Sequence, residues 1–254
     1  MSKTFLLLVV LLRPVVGTSA EQNVLQIIEE SQRRTDANSV SYEGRLQVTN
    51  PRGKTSEKRW QLQRIDSHGS SKMMVRFIDP PKIKGVVFLM INHPQHAPDG
   101  WMWIPAAGHD RRIQLRNRYA RFFDTDFNID DLEERDPGQY DYELIGDATV
   151  DGSSCWTIRA VPRSNQFSPY TSLLLYIRRN DYAIAQVENY VCRDVVRRMR
   201  FGDIKDIQGI PTPGVIEAVD LRHHSRTTLT LDKLQYNVPM TDQDFTIEAI
   251  RRSK

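Results

Sequence analysis

The sequence has little cysteine. Cys155 and Cys192 are the only two, and no CxxC pair occurs. Two thiols cannot complete a four-ligand zinc site without histidine help. The six histidines do not supply it. His93 and His96 flank Pro94-Gln95, His223 and His224 are neighbours that face opposite sides of a strand, and His68 and His109 fall in turns. Neither HExxH nor another ligand spacing is present. A GxSxG elbow, a GxGxxG turn and a phosphate-binding Walker loop are also missing, so the common nucleophile and nucleotide sites are not signalled. After residue 20 no apolar run approaches membrane-spanning length; the longest, Gly85 to Ile91, is the size of one strand. Charge of one sign is scarce too, with 35 Lys and Arg against 32 Asp and Glu. Such a balance gives no global argument for nucleic acid as a partner. In the most basic stretch, Cys192 to Arg200, the arginines Arg193, Arg197, Arg198 and Arg200 lack aromatics interleaved at stacking spacing. It reads as a solvated strand face rather than an RNA platform.

What is present begins with a leader. Lys3 precedes the apolar run Phe5 to Leu12, and Thr18-Ser19-Ala20 offers small residues for cleavage. Residues 1–20 therefore read as a secretory signal, and 21–254 as a single exported domain. No cysteine lies near the cleavage point to accept a lipid. Export places Cys155 and Cys192 in an oxidising compartment, as a disulfide or as two free thiols. Both read as lying on the polar side of their strands.

The chain then alternates. A helix over Glu21 to Arg34 carries Val24, Ile27 and Ile28 at helical spacing, with Leu25 widening the stripe. Residues 39–49 put Val40, Tyr42, Leu46 and Val48 on one side and Ser41, Glu43, Arg45 and Gln47 on the other, a half-buried antiparallel strand. Residues 85–91 are apolar on both sides, which fits a doubly covered central strand or the floor of a cavity. Residues 101–105 and 111–115 form a hairpin pattern, and the apolar parity slips between Leu231 and Leu234, where a bulge would restore it. About a dozen strands, two or three short helices, no linker and no βαβ rhythm describe a mainly β (α+β) fold. A single curved antiparallel sheet is the economical arrangement.

One stretch resists this reading. Residues 120–134, ARFFDTDFNIDDLEE, interleave Phe122, Phe123 and Phe127 with Asp124, Asp126, Asp130, Asp131, Glu133 and Glu134. Paired carboxylates can serve acid/base chemistry, and a hydrolase built on them is one hypothesis. A simpler account is a helix start: Asn128 and Asp131 have capping-box spacing, and acids in a first turn favour the helix dipole. The aromatics crowd the first half of the chain, and either a plain core or a cavity for apolar ligands accommodates them.

Five segments together carry a resemblance: FIDPPKIKGVVFL (77–89), WMWIPAAGHDRRIQ (101–114), RFFDTDFNIDDL (121–132), DGSSCWTIRAVP (151–162) and TTLTLDKLQYNVPMTDQDFT (227–246). In this order they resemble the exported outer membrane lipoprotein-sorting protein family, which is similar to the LolA/LolB lipoprotein carriers. The resemblance implies an open, unclosed β-barrel with a helical lid over its concave face. It further implies a periplasmic monomer that holds lipid or lipoprotein acyl chains without cofactor, metal or catalytic residue. An inner-membrane RND-superfamily transporter is the partner it suggests, with a lipid-sensing or transporter-accessory subunit as the alternative. Shielding acyl chains is worth about 0.8 kcal/mol per CH₂, so two long chains could be held without a covalent step. The residues expected to line such a cavity are Met73, Val75, Phe77, Phe88, Met90, Trp101, Trp103, Phe122, Phe123 and Phe127. Family members typically carry a Gly-Ser pair before the DF of this motif; here Asp124-Thr125 stands in its place.

Overall fold

The structure, a computed structural model, describes residues 18–66, 70–93, 96–115, 118–132, 136–164 and 166–252. Most of the expected leader, together with His68, Glu133 and Glu134, lies outside the described residues. The chain opens on helix α1 (Thr18–Thr35), which starts inside the segment read as leader. Val24, Ile27 and Ile28 are buried as their spacing predicts, but Leu25 is 45% exposed, so the buried stripe is narrower than expected.

Six strands follow: β1 (Ser39–Thr49), β2 (Thr55–Ile65), β3 (Lys72–Asp79), β4 (Val87–His93), β5 (His96–Ile104) and β6 (His109–Ile113). A connecting segment then leads to β7 (Tyr140–Val150), β8 (Ser153–Pro162), β9 (Ser172–Arg178), β10 (Ile184–Val191) and β11 (Asp194–Gly202). A small hairpin, β12 (Lys205–Ile207) with β13 (Ile210–Thr212), precedes β14 (Val215–Asp220), β15 (Ser225–Tyr236) and the short C-terminal helix α2 (Ile247–Arg251). Thirteen strands form one antiparallel sheet in the order β6-β5-β4-β3-β2-β1-β15-β14-β11-β10-β9-β8-β7. The sheet is curved and does not close: β6 and β7, consecutive in sequence, are its two edges.

Period-2 alternation explains the two faces. Val40, Leu46 and Val48 of β1 and Trp60 and Leu62 of β2 are buried on the concave side. Trp60 lies so close over Gly44 that a Cβ there would sit 2.1 Å from the indole nitrogen, so that strand position requires glycine. The slip of parity near Leu231 is the bulge the sequence predicts: Ser41 pairs Gln235 while Glu43 pairs Asp232, with Lys233 at φ 53. Strand β4 is covered twice. Phe88 and Met90 join the concave core, while Val87 and Leu89 join a second cluster on the convex face with Phe245 and Ile250 of the C-terminal segment. No helix among the described residues is long and apolar enough to cross a membrane.

The cysteines correct one expectation. Cys155 shares the outer face with Thr157 and Arg159, but Val150, Ala185 and Tyr176 cover it and leave it 0% exposed. Cys192 is not in a strand; it sits exposed in the β10–β11 turn with φ 58. Both thiols are free in this structure, Cys155 buried and Cys192 exposed. Burial also pushes the Cys155 thiol up, which suppresses the reactive thiolate. A colourless disulfide reagent should therefore label Cys192 rapidly in the native protein and Cys155 only after unfolding. Two equally fast thiols, or none, would contradict this placement.

Candidate functional site

Between the two sheet edges, residues 118–132 of the connecting segment do not pass around the outside. They cross the concave face as a strap. Phe122 stands against Trp60 (5.9 Å between ring centroids), Phe77 (6.4 Å) and Phe88 (5.2 Å), under the β2–β4 half of the sheet. Phe123 takes a left-handed conformation, φ 49, which is uncommon outside glycine and costs on the order of 1–3 kcal/mol. Two contacts hold it: its ring packs 4.4 Å from that of Phe77, and its carbonyl accepts from Lys58 Nζ at 2.9 Å. Burial lowers the Lys58 ammonium below the usual lysine range.

Past the phenylalanines the strap meets the middle of the sheet. The Asp126 side chain is buried. Its carboxylate accepts from Ser225 Oγ and from Thr227 Oγ1 (2.8 Å), both on β15, and pairs with Arg121 at 2.9 Å. Its backbone N–H donates to Thr227 Oγ1 at 2.9 Å. The Asp126 carbonyl in turn accepts from Arg197 Nη2 of β11 at 2.9 Å, and the same guanidinium grips both oxygens of Asp131. The side chains of Arg197 and Asp131 are 9% and 7% exposed. Burial alone would push the Arg197 guanidinium down; the Asp131 carboxylate, with Tyr170 and Asp126, outweighs this and raises it.

The acids thus divide. Asn128 and Asp131 form the reciprocal cap their spacing predicts, Asn128 N to Asp131 Oδ2 at 2.8 Å and Asp131 N to Asn128 Oδ1 at 2.9 Å, at the start of the 3₁₀ turn Ile129–Leu132. But Asp126 and Asp131 do not face water. They fasten the strap, a role that the helix-start reading does not include. Arg197 likewise corrects the reading of residues 192–200 as solvated, because one side of that strand looks inward. Asp124 has φ 59, a conformation glycine adopts without cost. Thr125 Oγ1 donates to the Phe122 carbonyl at 2.6 Å, as a serine hydroxyl can. The Asp124-Thr125 pair therefore keeps both physical tasks that a Gly-Ser pair suits.

Beyond the strap the concave face is not filled. A cavity of about 220 Å³ lies between α1, the strap and the second half of the sheet. Its walls are Ile28, Ser31, Gln32 and Thr35 of α1, Tyr142 of β7, Leu175 and Ile177 of β9, Ile184 and Val187 of β10, and Met199 and Phe201 of β11. Asp130, Asp131 and Pro137 close one end. The roof is latched: Ser31 Oγ donates to the Tyr182 carbonyl at 2.7 Å, and the Arg34 guanidinium lies 4.6 Å over the Tyr182 ring. Pockets for drug-sized ligands run about 300–1,000 Å³, so this space suits a segment of one acyl chain rather than two long chains.

None of the ten residues expected to line a cavity lines this one. Met73, Val75, Phe77, Phe88, Met90, Phe122 and Phe127 are packed together in the concave core, with Phe123 partly buried against them. Trp101 and Trp103 are not on that face. They pair with Leu89 and Val87 and pack on the convex cluster under the C-terminal segment. The aliphatic stretch SLLLYIRR held the missed signal, since Leu173, Leu175 and Ile177 alternate on one face. Among the described residues no group of three or more His, Cys, Asp or Glu is placed to hold a metal ion.

Asp131→Ala should destabilise the protein by about 3–5 kcal/mol, because it strands the buried Arg197 charge. Asp124→Gly should change stability by less than about 1 kcal/mol. Denaturant unfolding checks the contrast, and equal effects would contradict the assigned roles.

Comparison with known proteins gives the fold a family context. A family model described as "Uncharacterized protein" matches residues 69–252. No curated protein matches the chain. Among solved structures, an outer membrane lipoprotein-sorting protein domain from Vibrio parahaemolyticus is 20% identical with a TM-score of 0.81, over 90% of this chain and 98% of that one. A DUF1329 family protein from Desulfovibrio piger is 20% identical with a TM-score of 0.83, over 92% and 100% of the two chains. A LolA superfamily protein from Nitrosomonas europaea is 18% identical with a TM-score of 0.68, over 91% and 99%. At these identities the likeness speaks for the architecture. The chain belongs to the family described as "Uncharacterized protein" whose model spans residues 69–252, and it carries the open-sheet fold of the LolA-like lipoprotein-sorting proteins.

Proposed function

We propose that the protein is a periplasmic carrier that holds an acyl chain of a lipid or lipoprotein in the cavity beneath α1. The observation that carries this reading is the cavity itself: an apolar space left open on the concave face of a sheet whose other half is packed solid. Leu175, Ile177, Ile184, Val187 and Met199 offer no nucleophile and no strong hydrogen-bonding demand, so what they accept is hydrocarbon. Each CH₂ moved from water into such a space gains about 0.8 kcal/mol. Eight of them supply roughly 6 kcal/mol, enough for retention yet reversible. Loading would displace α1 from the sheet, and the Ser31–Tyr182 and Arg34–Tyr182 contacts set how readily it moves.

Resemblance to the lipoprotein-sorting family supports the periplasmic location and the acyl cargo. An RND-superfamily transporter as donor or acceptor rests on that resemblance alone. Binding rather than catalysis is part of the same proposal.

The test is displacement of a fluorescent fatty-acid probe by the full chain. Val187→Phe fills the cavity and should weaken probe binding by about tenfold or more. Trp101→Leu, on the convex face, should leave it unchanged. A wild-type protein that binds no probe, and that is empty by native mass spectrometry after purification from the periplasm, would sink the proposal.

A further inference from the structure

The convex face carries a second concavity, chemically the opposite of the first. It measures about 330 Å³ and lies between the sheet and the C-terminal segment. Its floor is polar: Ser41, Gln61, Gln63, Gln235 and Arg76. These positions adjoin in the sheet, since Ser41 pairs both Gln63 and Gln235, and Gln61 pairs Arg76. Arg252 stands at the rim.

The charges around this groove do not balance. Glu43 is already engaged by Lys233 at 2.9 Å and Arg59 at 3.5 Å. Asp244 accepts from the Thr241 backbone N–H at 2.8 Å, closing a capping box. Elsewhere Arg251 pairs Asp110, Arg198 pairs Glu188 and Arg178 pairs Asp181, and the other arginines without an ion pair among the described residues, Arg52, Arg111, Arg193 and Arg222, are exposed. Arg76 and Arg252 have no ion pair and no side-chain hydrogen bond among the described residues. Arg76 is half-buried, and burial lowers its guanidinium with no carboxylate to reverse the effect, unlike Arg197. A partly desolvated charge costs free energy unless something pairs with it. The carboxamides of Gln61, Gln63 and Gln235 add N–H donors that turn toward an acceptor without changing charge.

We propose that this groove binds an oxyanion, a phosphate or carboxylate group, with Arg76 as its planar anchor, Arg252 as a second cation and the glutamine amides as flanking donors. Guanidinium suits both groups because its fork matches two oxygens at once. The site is separate from the acyl cavity: one lies on the convex face, the other on the concave. Its occupancy therefore stands or falls independently of the carrier proposal. The shared ligand chemistry has two sources, a free anion or a lipid headgroup.

The experiment is a titration of the full chain with inorganic phosphate, followed by NMR at the Arg76 Nε–H and the Gln61, Gln63 and Gln235 side-chain amides. Saturable shifts are expected, weakened by added sodium chloride. Arg76→Met retains the apolar stem, and with it any packing role, but removes the anchor. It should weaken phosphate binding by about tenfold or more while leaving melting temperature and fatty-acid probe binding unchanged. Co-sedimentation with phosphatidylglycerol vesicles that is lost in Arg76→Met assigns the anion to a lipid headgroup. Phosphate binding without co-sedimentation assigns it to a free anion; both outcomes support the site. Shifts that do not saturate, or equal affinity in Arg76→Met and wild type, overturn it.

Discussion

Arg197 is the fastening on which the rest of the molecule depends. An open sheet with its edges at β6 and β7 has no closure of its own, so the chain between those edges needs a fixed course. A buried guanidinium held by the Asp126 carbonyl and the Asp131 carboxylate provides it. Desolvating this pair is costly, and the geometry recovers the cost only because every partner is in place. Ser225 and Thr227 satisfy the remaining carboxylate of Asp126. Position along the sheet is thereby set: Phe122 and Phe123 fall on the β2–β4 side of the anchor and the cavity on the other.

That division decides what the concave face can do. On one side, Trp60, Phe77, Phe88 and Phe122 meet at ring spacings of 5.2 to 6.4 Å, the packing of a solid core. On the other, the sheet contributes Leu175, Ile177, Ile184, Val187 and Met199 with Tyr142 and Phe201 beside them, and α1 bridges them without filling the space. Clustered aromatic rings close one half, and a mainly aliphatic lining leaves the other open. The same strap that plugs the first half supplies Asp130 and Asp131 to the end wall of the second, so plug and cavity are mechanically one piece.

Much of the fold was legible from periodicity. Alternation in β1, the double apolar character of 85–91 and the parity slip at Leu231 each follow from local sterics and burial, which sequence records directly. The capping box at Asn128 and Asp131 was legible for the same reason. The site was not. Asp126 finds Thr227 about a hundred residues away, and Arg197 reads as one of four surface arginines until the strap is placed over it. Trp101 and Trp103 look like cavity residues by type, but β4–β5 register puts them opposite Val87 and Leu89, on the other face. Large aromatics drew the sequence reading toward the half of the face that they fill. The open half is marked by what is smaller there, a signal that residue type alone does not convey. The burial of Cys155 was hidden likewise, because facing matters less than what covers the cysteine.

The central claim is that an apolar chain occupies the α1 side of the strap and not the aromatic side. Paramagnetic relaxation from a spin-labelled fatty-acyl ester tests it most directly, read at assigned methyl groups of the full chain. The account predicts strong broadening at Ile177, Ile184, Val187 and Met199, with Met73, Val75 and Met90 unaffected. Broadening centred on Met73, Val75 and Met90 instead would contradict it.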